Sequence, residues 1–148
     1  MAIIKKITAS ETYSVRLPVL RKGKSLESCH FDGDDLETTI HFGLYLNTEL
    51  VGIVSLFKKN NPHFSEKKQF QIRGMGVLED QRKKDIGKAL LIHCEEECKN
   101  QNADLIWFNA RTEAVGFYEK MGYHKTGTPF EIPDVGEHIL MLKKIRYE

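Results

Sequence analysis

The 148-residue chain has only three cysteines, Cys29, Cys94 and Cys98. An odd count with no second cluster fits reduced thiols better than a disulfide framework. Cys94 and Cys98 stand one helical turn apart beside His93. A zinc site would need partners elsewhere at suitable spacing, whereas small apolar residues packed on one helix face account for the pair, so no metal is expected. No apolar run approaches the length of a bilayer crossing. The start, Met-Ala-Ile-Ile-Lys-Lys, lacks the ordered blocks of a secretory signal, and a cytoplasmic location is expected. Charge of one sign is also missing. With 22 Lys and Arg against 21 Asp and Glu, the net charge of +1 gives no broad field for nucleic acid or membrane, and no stripe interleaves aromatic with basic residues. There is no Gly-Lys-Ser/Thr phosphate loop, and Gly74-x-Gly76 would need a third glycine where Glu79 stands, which argues against a dinucleotide fold. Repeats, low-complexity tracts and interdomain linkers are absent.

What remains is a length suited to one domain over residues 1–148, able to bury a core without staples. Ala2 to Thr8 reads as a strand, and Thr8 with Glu11 as a capping box opening a helix that Pro18 shortens or kinks. Residues 21–37 are polar and loop-like. His41 to Asn47 and Leu50 to Lys58 read as a hairpin, and Gln69 to Leu78 as a strand after the loop 60–68. A helix to about Asn100 follows, then a strand Asp104 to Asn109, a helix Glu113 to Met121, a short strand Gly122 to Thr126, a loop 127–136 and a last strand Ile139 to Ile145. This order predicts an α/β fold, a mixed twisted sheet with helices on both faces.

Two segments carry chemistry. In Val77-Leu-Glu-Asp-Gln-Arg-Lys-Lys-Asp-Ile-Gly-Lys88 a strand ends in a basic turn that starts a helix. The first helical N–H groups have no partner within the helix and the macrodipole leaves that end partly positive, so a phosphate can accept from several amides at once. Arg82, Lys83, Lys84 and Lys88 add mobile positive charge, and Gly87 keeps bulk away from an approaching ligand. Upstream, Gly74 and Gly76 flank Met75 and mark either a close approach of ligand or backbone, or only a local twist. The second segment, 107–123, passes from an apolar strand through Asn109 into a short helix, then to Gly122 as its stop.

Together the two resemble the GCN5-related N-acetyltransferases, a family that binds acetyl-coenzyme A. Arg82-Lys83-Lys84-Asp85-Ile86-Gly87 is similar to its pyrophosphate motif, Arg/Gln-x-x-Gly-x-Gly/Ala, with Asp85 where the family usually has glycine. Asn109, Ala114, Tyr118, Gly122 and Tyr123 meet its Asn-x(4)-Ala-x(3)-Tyr-x(3)-Gly-Tyr/Phe pattern. The resemblance covers residues 44–127 best and implies a splayed strand pair in the sheet, with the pantetheine arm pairing to the backbone of the glycine-bearing strand. Asp85 is expected to act as the helix N-cap with its charge turned toward the lysines.

The resemblance also implies an acetyl-coenzyme A-dependent N-acetyltransferase whose cosubstrate contacts Met75, Val77, Arg82, Lys83, Lys84, Asp85, Ile86, Gly87, Lys88, Asn109, Ala114 and Tyr118. A thioester is already activated, so alignment, oxyanion stabilisation and proton management suffice. Backbone N–H groups around Met75 to Val77 are the natural oxyanion donors, and Tyr118 matches the position whose hydroxyl protonates the leaving thiolate; its other reading is an aromatic packed on the sheet. Asn109 either binds pantetheine or satisfies a strand-to-helix turn. No general base is identifiable: His41, Glu66, Asp35 and His138 each read equally as ordinary residues, and Arg16, Arg21 and the acidic cluster Asp32 to Glu37 are candidates for shaping the acceptor site. The acceptor is expected to be a small-molecule or peptide amine attacked in a ternary complex, with room for a homodimer. A non-catalytic acyl-coenzyme A sensor of the same fold is the alternative.

Overall fold

The computed structural model describes residues 2–145. Its elements run β1 (Ala2–Ile7), α1 (Tyr13–Leu20), β2 (Ile40–Leu46), β3 (Glu49–Lys58), β4 (Gln69–Val77), α2 (Ile86–Asn100), β5 (Leu105–Arg111), α3 (Val115–Lys120), β6 (His124–Ile132) and β7 (Gly136–Lys144). The strands form a mixed sheet in the order β1-β2-β3-β4-β5-β7-β6, with β4 and β5 parallel. The α/β architecture expected from the sequence is therefore present. Two compact units divide these elements. One joins the chain up to Lys58 with Ile72–Glu97, the other joins Lys59–Gln71 with the chain from Cys98 onward, and β4 contributes residues to each.

In the first unit, the capping box of Thr8 and Glu11 closes in both directions: the Thr8 N–H donates to Glu11 Oε1 at 2.8 Å and the Glu11 N–H to Thr8 Oγ1 at 3.2 Å. A 3₁₀ turn, Ser10–Thr12, leads into α1, which ends at Leu20 just beyond Pro18. β2 and β3 pair antiparallel around Asn47, whose φ of 59° is one that Asn tolerates better than most side chains. Alternation along β3 separates the two helices. A Cβ at Gly52 would face Ile86 and Leu90 of α2, whereas the side chain of Ser55, three residues on and so on the opposite face, bonds Arg16 of α1. The helices thus cover opposite faces here, and Val15, Phe42, Ile53, Leu56 and Leu90 are buried between the layers.

In the second unit, Gln69–Gln71 of β4 lie parallel to Leu105–Trp107 of β5, and β5 runs antiparallel to β7 from Leu105↔Lys144 to Arg111↔His138. The loop before β4 is tied down by polar contacts. Trp107 Nε1–H donates to the Lys59 carbonyl at 2.8 Å, and Gln69 Nε2 donates to the carbonyls of Phe64 and Glu66.

Two sequence expectations need correction in this unit. β5 continues to Arg111 instead of stopping at Asn109, and after a 3₁₀ turn, Thr112–Ala114, α3 covers only Val115–Lys120. The stretch 127–136, read as a loop, is mostly hairpin: Phe130, Glu131 and Ile132 pair with His138, Glu137 and Gly136. The register slips between Thr126 and Phe130. Pro129 lies in that slip, where its missing N–H removes nothing from the ladder. No helix among the described residues is long and apolar enough to cross a membrane.

Candidate active site

β4 ends at Val77, and the Leu78 N–H donates to the Val51 carbonyl at 2.9 Å, fixing where the chain leaves the sheet. A 3₁₀ turn, Glu79–Gln81, comes next, an element absent from the sequence reading. The basic residues then lead to α2 through two left-handed positions, Lys83 at φ 69° and Asp85 at φ 57°. Left-handed residues alternating with ordinary ones aim successive N–H groups into a common concavity, the geometry of an anion nest. The Asp85 carbonyl accepts from the Ala89 N–H at 3.0 Å, so Asp85 holds the N-cap place through its backbone. Its conformation also gives a physical reason for glycine at this position in the resembling family: φ near 57° carries a Cβ penalty that glycine avoids and that Asp bears better than most residues.

Around this turn, Arg82, Lys83, Asp85 and Lys88 are exposed, and so is Lys84, which donates to Gln81 Oε1 at 2.8 Å. Ile86 differs. It is buried, and a Cβ at Gly52 would come within 2.7 Å of Ile86 Cγ2 and 3.1 Å of Leu90 Cδ1. The missing side chain at Gly52 therefore seats the first turn of α2 on β3. The side chain of Ile86 is structural, and its amide is what it offers a ligand.

On β4, Met75 and Val77 are half-buried and Gly74 has φ 65°. A Cβ at Gly74 would sit 3.0 Å from Phe31 Cε2, and one at Gly76 would sit 3.3 Å from Val19 Cγ1. On the side where a Cβ would project, then, the two glycines admit the protein's own Phe31 and α1 close to the strand.

The same unit contains a buried polar cluster. Arg16 is fully buried and donates from Nη1 to Asp34 Oδ2 at 2.6 Å and to the Cys29 carbonyl at 2.7 Å, and from Nη2 to Asp34 Oδ1 at 3.1 Å and Ser55 Oγ at 3.0 Å. His41 Nε2 must carry a proton, because its partner at 3.0 Å is the Asp34 carbonyl, while Nδ1 meets the Ser55 hydroxyl at 2.7 Å. Burial pushes the Asp34 carboxyl up, but hydrogen bonds from Arg16 and the Phe31 amide, with the charge of Arg16, outweigh it and hold the group below its ordinary value. Arg16, which the sequence offers as a candidate for shaping the acceptor site, and His41, a candidate base, are thus both held inside this cluster. Asp34 and Ser55 as their partners were not foreseen; nothing local marks them, since the cluster gathers residues far apart in sequence. Asp35 is exposed and 3.0 Å from His30 Nε2.

In the second unit, Asn109 lies inside β5 opposite Leu140, with its side chain exposed, so it does not serve a strand-to-helix turn. Ala114 is the N-cap of α3. The C-terminus of α3 explains the rest of the pattern. The Gly122 N–H donates to the Glu119 carbonyl and the Tyr123 N–H to the Tyr118 carbonyl, a Schellman pair that requires the left-handed φ of 93° at Gly122. Tyr123 closes on Tyr118 with ring centroids 6.2 Å apart, and both rings pack on Phe108. Lys143 Nζ donates to the Met121 carbonyl at 3.0 Å.

Tyr118 is therefore packed against an aromatic neighbour, as its bland reading held, yet no hydrogen bond from its hydroxyl is present among the described residues. Burial pushes this phenol up to about 12, so it stays protonated through the neutral range. Of the remaining base candidates, His138 is buried with Nδ1 2.8 Å from the Gly136 carbonyl and has no hydrogen bond at Nε2 among the described residues, and Glu66 lies 3.5 Å from Lys144 Nζ. No group of three or more His, Cys, Asp or Glu is placed to hold a metal among the described residues.

Comparison with known proteins agrees with these features. The pattern of the Acetyltransferase (GNAT) family matches residues 8–123. An uncharacterised N-acetyltransferase of Bacillus subtilis (strain 168), YitI, is 34% identical over 146 residues, covering 99% of this chain and 98% of that one. The crystal structure of a putative N-acetyltransferase from Lactobacillus plantarum superposes with a TM-score of 0.77 at 21% identity, over 97% of each chain. That of a Bacillus subtilis acetyltransferase in complex with CoA gives 0.71 at 17% identity, over 99% of this chain and 100% of the other. At such identities the two structures establish the shared fold.

Proposed function

Because this chain belongs to the acetyltransferase (GNAT) family, we propose that it transfers an acetyl group from acetyl-coenzyme A to a primary amine by direct attack in a ternary complex, and that residues 1–148 act as one domain in doing so. The observation that carries the reading is the left-handed pair Lys83 and Asp85 at the start of α2, ringed by exposed basic side chains. Amides of the turn 82–88, Gly87 among them, take the pyrophosphate, and Arg82, Lys83, Lys84 and Lys88 supply charge. Asn109 and Ala114 contact the pantetheine side. Amides of Met75 and Val77 receive the carbonyl oxygen.

In the reaction, the neutral amine nitrogen bonds to the thioester carbon, the oxyanion forms, and the C–S bond breaks as the oxygen regains its double bond. The amine gives up one proton and the coenzyme A thiolate takes one. Tyr118 donates a hydrogen bond to that sulfur. Burial keeps its phenol protonated through the neutral range, with a proton to offer as the thiolate forms. Tyr118 therefore serves the leaving thiolate as hydrogen-bond and proton donor, and is reprotonated from solvent.

A second reading, a non-catalytic acyl-coenzyme A sensor, is favoured by one observation: His41 is buried with both ring nitrogens hydrogen-bonded, and Glu66 has a cationic neighbour. Calorimetry with acetyl-coenzyme A at near-physiological salt, followed by thiol release across an amine panel, tests both. Binding with acceptor-dependent release supports the enzyme; binding without turnover on any acceptor supports the sensor; no binding refutes both.

A further inference from the structure

Three guanidinium groups converge on one ring in the first unit. The Cζ atoms of Arg16, Arg21 and Arg73 lie 3.9, 4.9 and 4.9 Å from the Phe31 centroid, and Arg73 is also 5.5 Å from that of Phe57. Their charges are not equally matched. Arg16 is neutralised by Asp34 in a two-pronged ion pair. Arg21 donates from Nε to the Ser28 carbonyl and from Nη1 to that of Leu20. Arg73, half-buried, has no hydrogen bond or ion pair among the described residues.

The surplus extends beyond one side chain. Burial pushes Arg73 down and Arg16 and Arg21 push it further, more than Asp34 and Asp32 restore, although a guanidinium stays charged throughout. Of the carboxylates that act on Arg73, Asp34 is already paired with Arg16 and Asp32 is exposed. Arg16 Nε is buried without an acceptor. A Cβ at Gly74, whose φ is left-handed, would lie 3.0 Å from Phe31 Cε2, so the glycine lets the ring beside Arg73 pack close to the strand.

Aromatic faces stabilise a guanidinium and fix its plane but cannot satisfy its N–H groups. A half-buried fork set against two aromatic rings, with no hydrogen bond among the described residues, is suited to a planar or tetrahedral oxyanion, which takes two N–H bonds at once. We propose that Arg73, supported by Arg21 and Phe31, is the specificity-determining residue for the acceptor, and that the acceptor is an amine carrying a carboxylate or phosphate. The inference rests on the transferase reading for its amine and on the arginine cluster for its anion. It also assigns a sign to a region whose sequence, with basic and acidic residues intermixed, suits a substrate of either charge.

The test uses matched probes that differ only in the anion: β-alanine against β-alaninamide, and O-phosphoethanolamine against ethanolamine, with putrescine as a cationic control. Each is titrated calorimetrically into the full chain, with and without coenzyme A, and assayed for thiol release from acetyl-coenzyme A. The expected result is tighter binding of an anionic member by about tenfold to a hundredfold, the range of hydrogen bonds to charged groups, weakening as salt rises. Preference within the first pair points to a carboxylate, within the second to a phosphate. Arg73→Gln should abolish the preference while leaving the weak binding of the uncharged member, and Arg73→Lys should restore only part of it, because the charge returns without the fork. Equal binding within both pairs, stronger binding of putrescine, or unchanged selectivity in a folded Arg73→Gln protein would overturn the proposal. If coenzyme A fails to bind, the transferase reading falls separately, while selectivity within the pairs still decides this one.

Discussion

Both carboxylate oxygens of Asp34 are held by Arg16, at 2.6 and 3.1 Å, with neither side chain exposed. A buried pair of this kind is costly to break from one side, since the surviving charge has no water to turn to. Asp34→Asn or Arg16→Met should each cost about 3–5 kcal/mol in denaturant unfolding. The double change to apolar residues should cost less than the two singles together. The pH dependence follows from direction: the folded Asp34 carboxyl lies below its ordinary value of 3.8, so its stabilisation is complete above that value and is lost as pH falls through the folded one. Urea midpoints measured from pH 5 downward should drop in the wild type and hold more nearly level in Asp34→Asn.

At the phosphate turn two effects of Asp85→Gly can be weighed. Relief of a left-handed φ is worth about 1–2 kcal/mol, and the extra freedom of glycine in the unfolded chain gives back about 0.5–1 kcal/mol. The net change in stability should therefore lie between about 0 and 1.5 kcal/mol in favour of glycine. Affinity for acetyl-coenzyme A should instead rise severalfold, because a carboxylate leaves the neighbourhood of the pyrophosphate. Calorimetry would show this, and weaker binding by a well-folded variant would count against the nest.

Gly52→Ala tests the seating of α2. The new methyl would lie 2.7 Å from Ile86 Cγ2, and overpacking of this kind costs about 1–3 kcal/mol. Since the strain falls on the helical turn that presents the amides, coenzyme A affinity should drop as well. A loss of stability with affinity intact would mean that the turn does not hold the cosubstrate.

Tyr118→Phe removes one oxygen whose hydrogen bond, on the proposed mechanism, exists only as thiolate forms. The turnover number should fall about tenfold to a hundredfold, with acetyl-coenzyme A binding and the thermal midpoint nearly unchanged. With the phenol near 12, the wild-type rate between pH 6 and 10 should rise with deprotonation of the acceptor amine and show no inflection from this residue. Equal kcat in the two proteins would remove Tyr118 from the chemistry.

Much of this was legible in the chain because its signals are local. Thr8 and Glu11 announce a helix start within four residues, and Gly122-Tyr123 announces a stop, each through bonds to near neighbours. The hairpin tip was misread because Pro129 and Pro133 punctuate it, and a register slip that accommodates proline leaves no mark on hydrophobic alternation. The role of Arg16 was missed for another reason. A charged residue on a helix reads as solvated unless its partner is known, and Asp34 lies in a run of acids none of which stands out in sequence. Of the candidate site, the basic turn was visible, whereas the conformations at Lys83 and Asp85 were not, since neither residue type demands a positive φ.

The division of the chain into two interrupted units bears on its synthesis. A polypeptide leaving the ribosome N-terminus first has all the residues of the first unit once Glu97 has emerged, with the whole carboxy-terminal stretch from Cys98 still to come. Residues 59–71 are made early but must wait for that stretch, with the parallel edge of Gln69–Gln71 unmatched until Leu105–Trp107 arrives. During this interval a nascent strand edge is open to other chains, and truncated products ending shortly after Glu97 should be the ones that a cell's chaperones retain.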